Sequence, residues 1–174
     1  MNTVVPPPYN MMKSFRILLS VSLVALAATF AQAATVPPSP APDWTLNDID
    51  GNSVSFAQFK GKTVVIDFWA TWCPPCRDEI PGYIELQEEY AKDDLVIIGV
   101  SLDRKGPEVV KSFMEKFGMN YVVVMGNENT VEAFGGFRGI PTTFIVDREG
   151  NIRDKKTGAE KKEVFEARLK KYLN

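Results

Sequence analysis

Three runs in this chain are apolar at almost every position: Thr63 to Trp69, Leu95 to Val100 and Thr142 to Val146. Runs of this length without alternation predict strands buried on both faces, at the centre of a covered sheet. Asp67 is the single acid within them. Elsewhere the apolar positions recur every three to four residues. Ile80, Tyr83, Ile84, Leu86 and Tyr90 predict a helix from Pro74 to about Ala91, with a kink expected at Pro81. Gly106-Pro107 opens a second helix through Val109, Val110, Phe113, Met114 and Phe117, and Gly118 closes it. Tyr121 to Met125 reads as a shorter strand and Val131 to Phe134 as a short helix. Residues 159–173 read as an amphipathic helix with Val164, Phe165, Leu169, Tyr172 and Leu173 on its apolar face. Trp44-Thr45-Leu46 and Val54-Ser55-Phe56 flank the turn signal Asp50-Gly51, which predicts a hairpin, followed by a helical turn from Phe56 to Lys60. Arg148-Glu149-Gly150-Asn151 turns the chain back toward Ile152. A hairpin, then β-α-β-α-β, then a hairpin and a terminal helix is an α/β order, with a central sheet and helices on both faces.

The N-terminus follows another pattern. Lys13 and Arg16 precede the apolar run Ile17 to Phe30, and Ala31-Gln32-Ala33 follows as a small-x-small site. Basic, apolar and small segments in that order read as an export signal over residues 1–33. Its 14 apolar or small residues fall short of the ~20 that span a bilayer as a helix. Cleavage is therefore expected, with an uncleaved membrane anchor as the alternative. Residues 34–42, with Pro37, Pro38, Pro40 and Pro42, read as an extended spacer that does not pack. The folded domain is expected over 43–174, about 130 residues of the 174, enough for one core. With 20 Lys and Arg against 22 Asp and Glu the formal charge is −2, moving to about −4 once Lys13 and Arg16 leave with the signal. Weak acidity argues against nucleic acid, which needs a concentrated basic face.

Both cysteines lie where the first buried strand meets the first helix, in Trp72-Cys73-Pro74-Pro75-Cys76-Arg77. A strand end fixes Cys73 in space, and the helix N-terminus supplies partial positive charge that favours its thiolate. The two-residue spacing lets Cys76 close a ring onto Cys73 after a mixed disulfide has formed. Zinc is disfavoured, because four N or S ligands are needed and the chain has no histidine and no further cysteine. A purely structural bridge over so short a loop removes little unfolded-state entropy. A redox-active dithiol is the reading that remains.

The segment Val64-Val65-Ile66-Asp67-Phe68-Trp69-Ala70-Thr71-Trp72-Cys73-Pro74-Pro75-Cys76-Arg77, with Gly139-Ile140-Pro141-Thr142-Thr143-Phe144 downstream, resembles the thioredoxin superfamily. Trp-Cys-Pro-Pro-Cys-Arg, the N-terminal hairpin and the helix at Pro107 to Phe117 most resemble its exported TlpA/ResA-like thiol-disulfide oxidoreductases. The resemblance implies a thioredoxin-like three-layer α/β/α fold with a central mixed sheet and an N-terminal hairpin. It implies Cys73 as the more exposed nucleophile, Cys76 as the shielded resolving thiol, and a cis-proline at Pro141 facing the dithiol. Trp72, Pro74, Pro75, Ile140 and Pro141 are then expected to meet the substrate. Thioredoxins place an aspartate behind the second cysteine as proton acceptor, and TlpA/ResA-like chains use a glutamate three residues after it. This chain has both, Asp67 and Glu79. Asp67 in its apolar strand is expected to be the acceptor, and Glu79, read as lying on a helix surface, a second acid/base.

The activity expected is reduction of disulfides in exported proteins, for example in cytochrome c maturation, by a periplasmic or otherwise extracytoplasmic monomer that needs no cofactor and no metal. Pro74 and Pro75 have no N–H to give the Cys73 sulfur and no histidine lies between the cysteines, so the couple should be reducing rather than oxidising. Apocytochrome c thiols and a membrane thiol electron donor are the partners implied. Two alternatives use the same fold. A soft-metal, copper-delivering chaperone could use the dithiol alone. A peroxiredoxin-like peroxidase would need proline and threonine where Ile66 and Ala70 stand.

Overall fold

The computed structural model describes residues 38–173 together with Met1, and the chain divides into a segment Met1–Thr35 and a body Val36–Asn174. The export signal expected over residues 1–33 lies outside the described residues. In the body the elements run β1 (Ser39–Pro40), β2 (Thr45–Asn47), β3 (Ser53–Ser55), β4 (Thr63–Trp69), α1 (Pro74–Tyr90), β5 (Leu95–Ser101), α2 (Pro107–Phe117), β6 (Val122–Met125), α3 (Glu128–Ala133), β7 (Thr142–Val146), β8 (Asn151–Thr157) and α4 (Lys162–Leu169). A six-stranded sheet has the order β1-β8-β7-β4-β5-β6, and β2 and β3 form a separate antiparallel hairpin. β4 pairs parallel with β5 and antiparallel with β7, so the sheet is mixed.

Every residue of β4 is buried. Its side chains alternate between two cores. Val65 and Trp69 face α1, α2 and α4, joining Ile80, Leu86, Val110, Phe165 and Leu169. Val64, Ile66 and Phe68 face the other side, where Trp44, Leu46 and Phe56 of the hairpin region meet Phe134 after α3. This is a thioredoxin-like α/β/α arrangement in which the hairpin supplies much of the second layer. α1 runs unbroken through Pro81.

Four expectations are corrected. Val109 and Val164 are exposed, because each lies one position from the residue that points inward, Val110 or Phe165, and is turned about 100° away from it around the helix. α4 starts at Lys162 rather than Ala159: Gly158 has φ 87° and Lys161 is still extended. α3 starts at Glu128, because the Asn127 side chain accepts the Thr130 N–H at 2.9 Å and caps the helix. The spacer also packs at its end: Ser39–Pro40 pairs with Asn151 and Ile152 of β8, and the Ala41 N–H donates to the Gly150 carbonyl at 2.8 Å.

Gly99 of β5 lies beside Asp67 in register. A Cβ there would sit 2.8 Å from Trp69 Nε1 and 3.4 Å from the Tyr121 ring. Both rings are buried, so neither can swing into solvent. Gly99→Ala is expected to cost about 1–3 kcal/mol by overpacking, read as a lower urea midpoint with a changed tryptophan emission spectrum.

Candidate active site

The chain leaves β4 at Trp69, turns through Ala70 to Trp72, and enters α1 with Cys73 as its N-cap. The Cys73 N–H donates to the Ala70 carbonyl at 3.1 Å, and the Cys73 sulfur accepts the Cys76 N–H at 3.3 Å. Pro74 and Pro75 fill the first helical positions, where an N–H would have had no intrahelical partner. Asp103, just after β5, holds this turn from the side. Its carboxylate accepts the Thr71 N–H at 2.9 Å and the Thr71 hydroxyl at 2.6 Å, while Ser101 Oγ donates to it at 2.9 Å.

Cys73 and Cys76 are joined in a disulfide with their Cα atoms 5.3 Å apart. Both are buried, at 3% and 1% exposure, so the greater exposure expected of Cys73 is not found in this disulfide state. Ile140 covers it: the Ile140 carbonyl oxygen is 3.7 Å from the Cys73 sulfur. The Ile140–Pro141 peptide bond is cis. Thr142 Oγ1 donates to the Gly139 carbonyl at 2.7 Å, and the Gly158 N–H donates to the Pro141 carbonyl at 2.8 Å, so both sides of the bond are tied to the sheet. Among the described residues no backbone–backbone hydrogen bond uses the N–H or C=O of Ile140. Trp72 is 66% exposed, and Pro74 and Pro75 are exposed beside it. A cleft of about 1260 Å³ opens next to Trp72, walled by Leu102, Val131, Phe137 and Ile140, with Arg104 and Arg138 at its rim.

On the sheet face of Val65 and Trp69, whose core Cys73 and Cys76 share, three strands place Asp67, Thr143 and Lys156 in one cross-strand row. Thr143 Oγ1 donates to Asp67 Oδ1 at 3.0 Å, and the Tyr83 hydroxyl of α1 lies 3.1 Å from the same Thr143 oxygen. Burial pushes the Asp67 carboxyl up to about 7, the Glu79 charge adds to this, and the Thr143 hydrogen bond and Lys156 oppose it. Glu79 is not on a helix surface. It is buried on the sheet side of α1, where its Oε1 accepts from Lys156 Nζ and from the Glu160 N–H at 3.0 Å. Burial raises its pKa as well, against the opposing pull of the Lys156 ammonium. Trp69, two residues beyond Asp67 on the same face, is core.

The family model for the AhpC/TSA family matches residues 37–155. The chain is 32% identical over 159 residues to the thiol-disulfide oxidoreductase ResA of Geobacillus thermodenitrificans, covering 88% of this chain and 91% of that protein. It is 34% identical to the thioredoxin-like protein YneN of Bacillus subtilis over 74% of this chain and 76% of that one. The crystal structure of a thiol:disulfide interchange protein of the thioredoxin family from Chlorobium tepidum superposes with a TM-score of 0.73 at 35% identity, over 81% of this chain and 100% of the other. The chain belongs to the ResA/TlpA-like thiol-disulfide oxidoreductases.

As a ResA-like protein it carries a redox-active dithiol on a thioredoxin-like fold and acts by thiol-disulfide exchange with a partner. The AhpC/TSA model spans this fold, but Ile66 and Ala70 occupy the positions where the peroxidase reading needs proline and threonine. Two residues of this ResA-like site escaped the sequence reading. Asp103 follows the strand beside β4 and sits where the ends of parallel strands gather functional groups, which was a usable signal. Lys156 stands in Asn-Ile-Arg-Asp-Lys-Lys-Thr, which reads as solvent-facing until its register opposite Thr143 is known.

A buried carboxyl with a raised pKa makes stability depend on pH. Below about 3.8, its ordinary value, Asp67 is protonated in both folded and unfolded chains and costs nothing. As pH rises from there to about 7 the unfolded chain ionises and the folded one does not, so folding loses stability throughout that window. The full penalty, about 4 kcal/mol, is present above it. Asp67→Asn is expected to gain stability relative to wild type between these limits, with no further gain above about pH 8. Urea unfolding at a series of pH values checks this, and a difference independent of pH would overturn it.

Proposed function

We propose that this protein is an extracytoplasmic reductant of protein disulfides, with the cysteines of exported proteins such as apocytochrome c as substrates and a membrane thiol donor as its electron source. The observation that carries the reading is the Cys73–Cys76 pair at the start of α1, with the Ile140 carbonyl against the Cys73 sulfur. The buried Asp67, hydrogen-bonded to Thr143, supports it as the proton acceptor. The basic, apolar and small N-terminal pattern supports export. Among the described residues no helix is long and apolar enough to cross a membrane.

In this reading the reduced Cys73 thiolate attacks one sulfur of the substrate disulfide. That S–S bond breaks, the other substrate sulfur leaves as a thiolate, and a mixed disulfide forms on Cys73. The Cys76 thiol passes its proton to Asp67 and attacks the Cys73 sulfur. The bond to substrate breaks, the second substrate thiol leaves, and the Cys73–Cys76 disulfide remains, two electrons having passed to the substrate. The unpaired backbone of Ile140, tied in place by Gly139 and Pro141, suits pairing with an extended substrate segment beside Trp72. Pro74 and Pro75 contact that segment and withhold hydrogen bonds from the Cys73 thiolate. Its donor from the first turn is the Cys76 N–H. A thiolate so sparsely stabilised favours a reducing couple. Glu79 is the second carboxyl of the proton site.

Three outcomes test this. The protein is expected to reduce insulin disulfides with a thiol donor, and Cys73→Ser to abolish the activity. Cys76→Ser is expected to accumulate mixed disulfides in exporting cells, visible on non-reducing gels and lost on reduction. Stoichiometric Cu(I) binding without insulin reduction would instead favour metal delivery. Asp67→Asn should slow release of the mixed disulfide by roughly 10²–10⁴, the loss of a general base. Stopped-flow measurement should show the deficit shrinking at high pH, where Cys76 ionises unaided.

A further inference from the structure

One ion pair among the described residues is buried on both sides. The Lys156 and Glu79 side chains are 8% and 4% exposed, whereas every other pair has a partner at least 26% exposed. Taking both charges out of water is costly, and such pairs are a poor means of gaining stability. The position of the charge is what it contributes here.

Lys156 sits in the same row as Asp67, with Thr143 between them, and reaches up to Glu79 on the helix above. All the donors Glu79 meets, Lys156 Nζ and the Glu160 N–H, go to Oε1, while its buried Oε2 has no partner. Two buried carboxyls that feel each other's charge do not ionise independently, and their protons belong to the pair unless something separates them. We propose that Lys156 is a positioning residue for the dithiol's proton transfer: its ammonium commits Glu79 to the carboxylate form and so leaves Asp67 as the one buried carboxyl that exchanges a proton with Cys76. The inference rests on the reading of Asp67 as the acceptor.

The other groups around the pair do not supply this asymmetry. Tyr83 of α1 and Tyr121 before β6 are buried phenols whose pKa values are pushed well up, so they stay neutral. Glu160, before α4, is held by Arg168 at 3.0 Å. Lys162, which shares with Glu79 the wall of a cavity of about 320 Å³ between α1 and α4, is paired with Glu85 at 2.8 Å and lies 3.9 Å from Glu166. Lys156 is therefore the cation that Glu79 has.

Infrared spectroscopy of the reduced full chain at about pH 6 reads the protonated carboxyls without requiring turnover. Wild type is expected to show one buried C=O band that Asp67→Asn removes. Lys156→Met should add a second band, removed in turn by Glu79→Gln in that background, and Lys156→Arg should restore the single band. In the same Lys156→Met variant, the pH profile of mixed-disulfide release should change from one step to two, and its rate near neutral pH should fall about three- to tenfold. Absence of a second band, with an unchanged profile, overturns the proposal. Should Lys156→Met fail to fold, the double variant Lys156→Met/Glu79→Gln removes both charges. It should fold and show the single Asp67 band with a one-step profile, and a two-step profile there overturns the proposal. If Asp67→Asn leaves release unchanged while the second band appears, the acceptor reading has failed and the charge assignment of Glu79 has not.

Discussion

Everything at the site is referred to a strand that has no exposed residue. Because β4 is covered on both faces and paired on both edges, neither its register nor its facing can shift without exposing Val65 and Trp69 or Ile66 and Phe68. That rigidity is exported to its two polar consequences. At its end, the turn into α1 places Cys73 at a helix N-terminus, held laterally by Asp103. Within it, Asp67 is 4% exposed and is satisfied by a neighbour on the sheet, Thr143. A site built on such an element gains precision that a loop could not give.

The cost of this arrangement is electrostatic, and on the proposed reading of Asp67 as acceptor it explains why the proton site would be a cluster rather than a residue. A lone buried carboxyl that stays neutral at all accessible pH would be useless as a base, and one held fully ionised by a cation would bind a proton too weakly. Asp67 lies between these limits because burial is countered by one hydroxyl and a cation that is engaged elsewhere. General bases work best near the operating pH, and Thr143 and Lys156, by opposing the effect of burial, leave Asp67 at about 7, as the proposed role requires.

The sequence made the scaffold legible and left part of the chemistry hidden, for a common reason. β4 and β7 appear with the bounds expected, and α2 with the ends expected, because each is specified by a contiguous apolar run or by Gly and Pro at its ends. The dithiol is legible because both cysteines lie in one local motif. The pairing of Lys156 with Glu79 spans 77 residues, and that of Thr143 with Asp67 spans 76. Such contacts depend on strand register, which no local pattern carries. Glu79 looks like a solvated helix residue, and Ser39–Pro40 like a loose spacer, until β8 is in place.

Beyond Ile152 the outer edge of β8 has no strand partner among the described residues. Open edges invite strands from other molecules, and a charged side chain pointing inward from the edge strand is among the devices that deter them. Lys156 is such a side chain, and Ser39–Pro40 covers the first two positions of the same edge, Pro40 having no N–H to offer beyond it. An incoming strand laid along residues 153–157 would extend the sheet beside a cation already committed to Glu79, with Arg153 and Lys155 exposed on the same strand. A change that neutralised this edge would therefore be felt in solubility and self-association as well as in redox turnover.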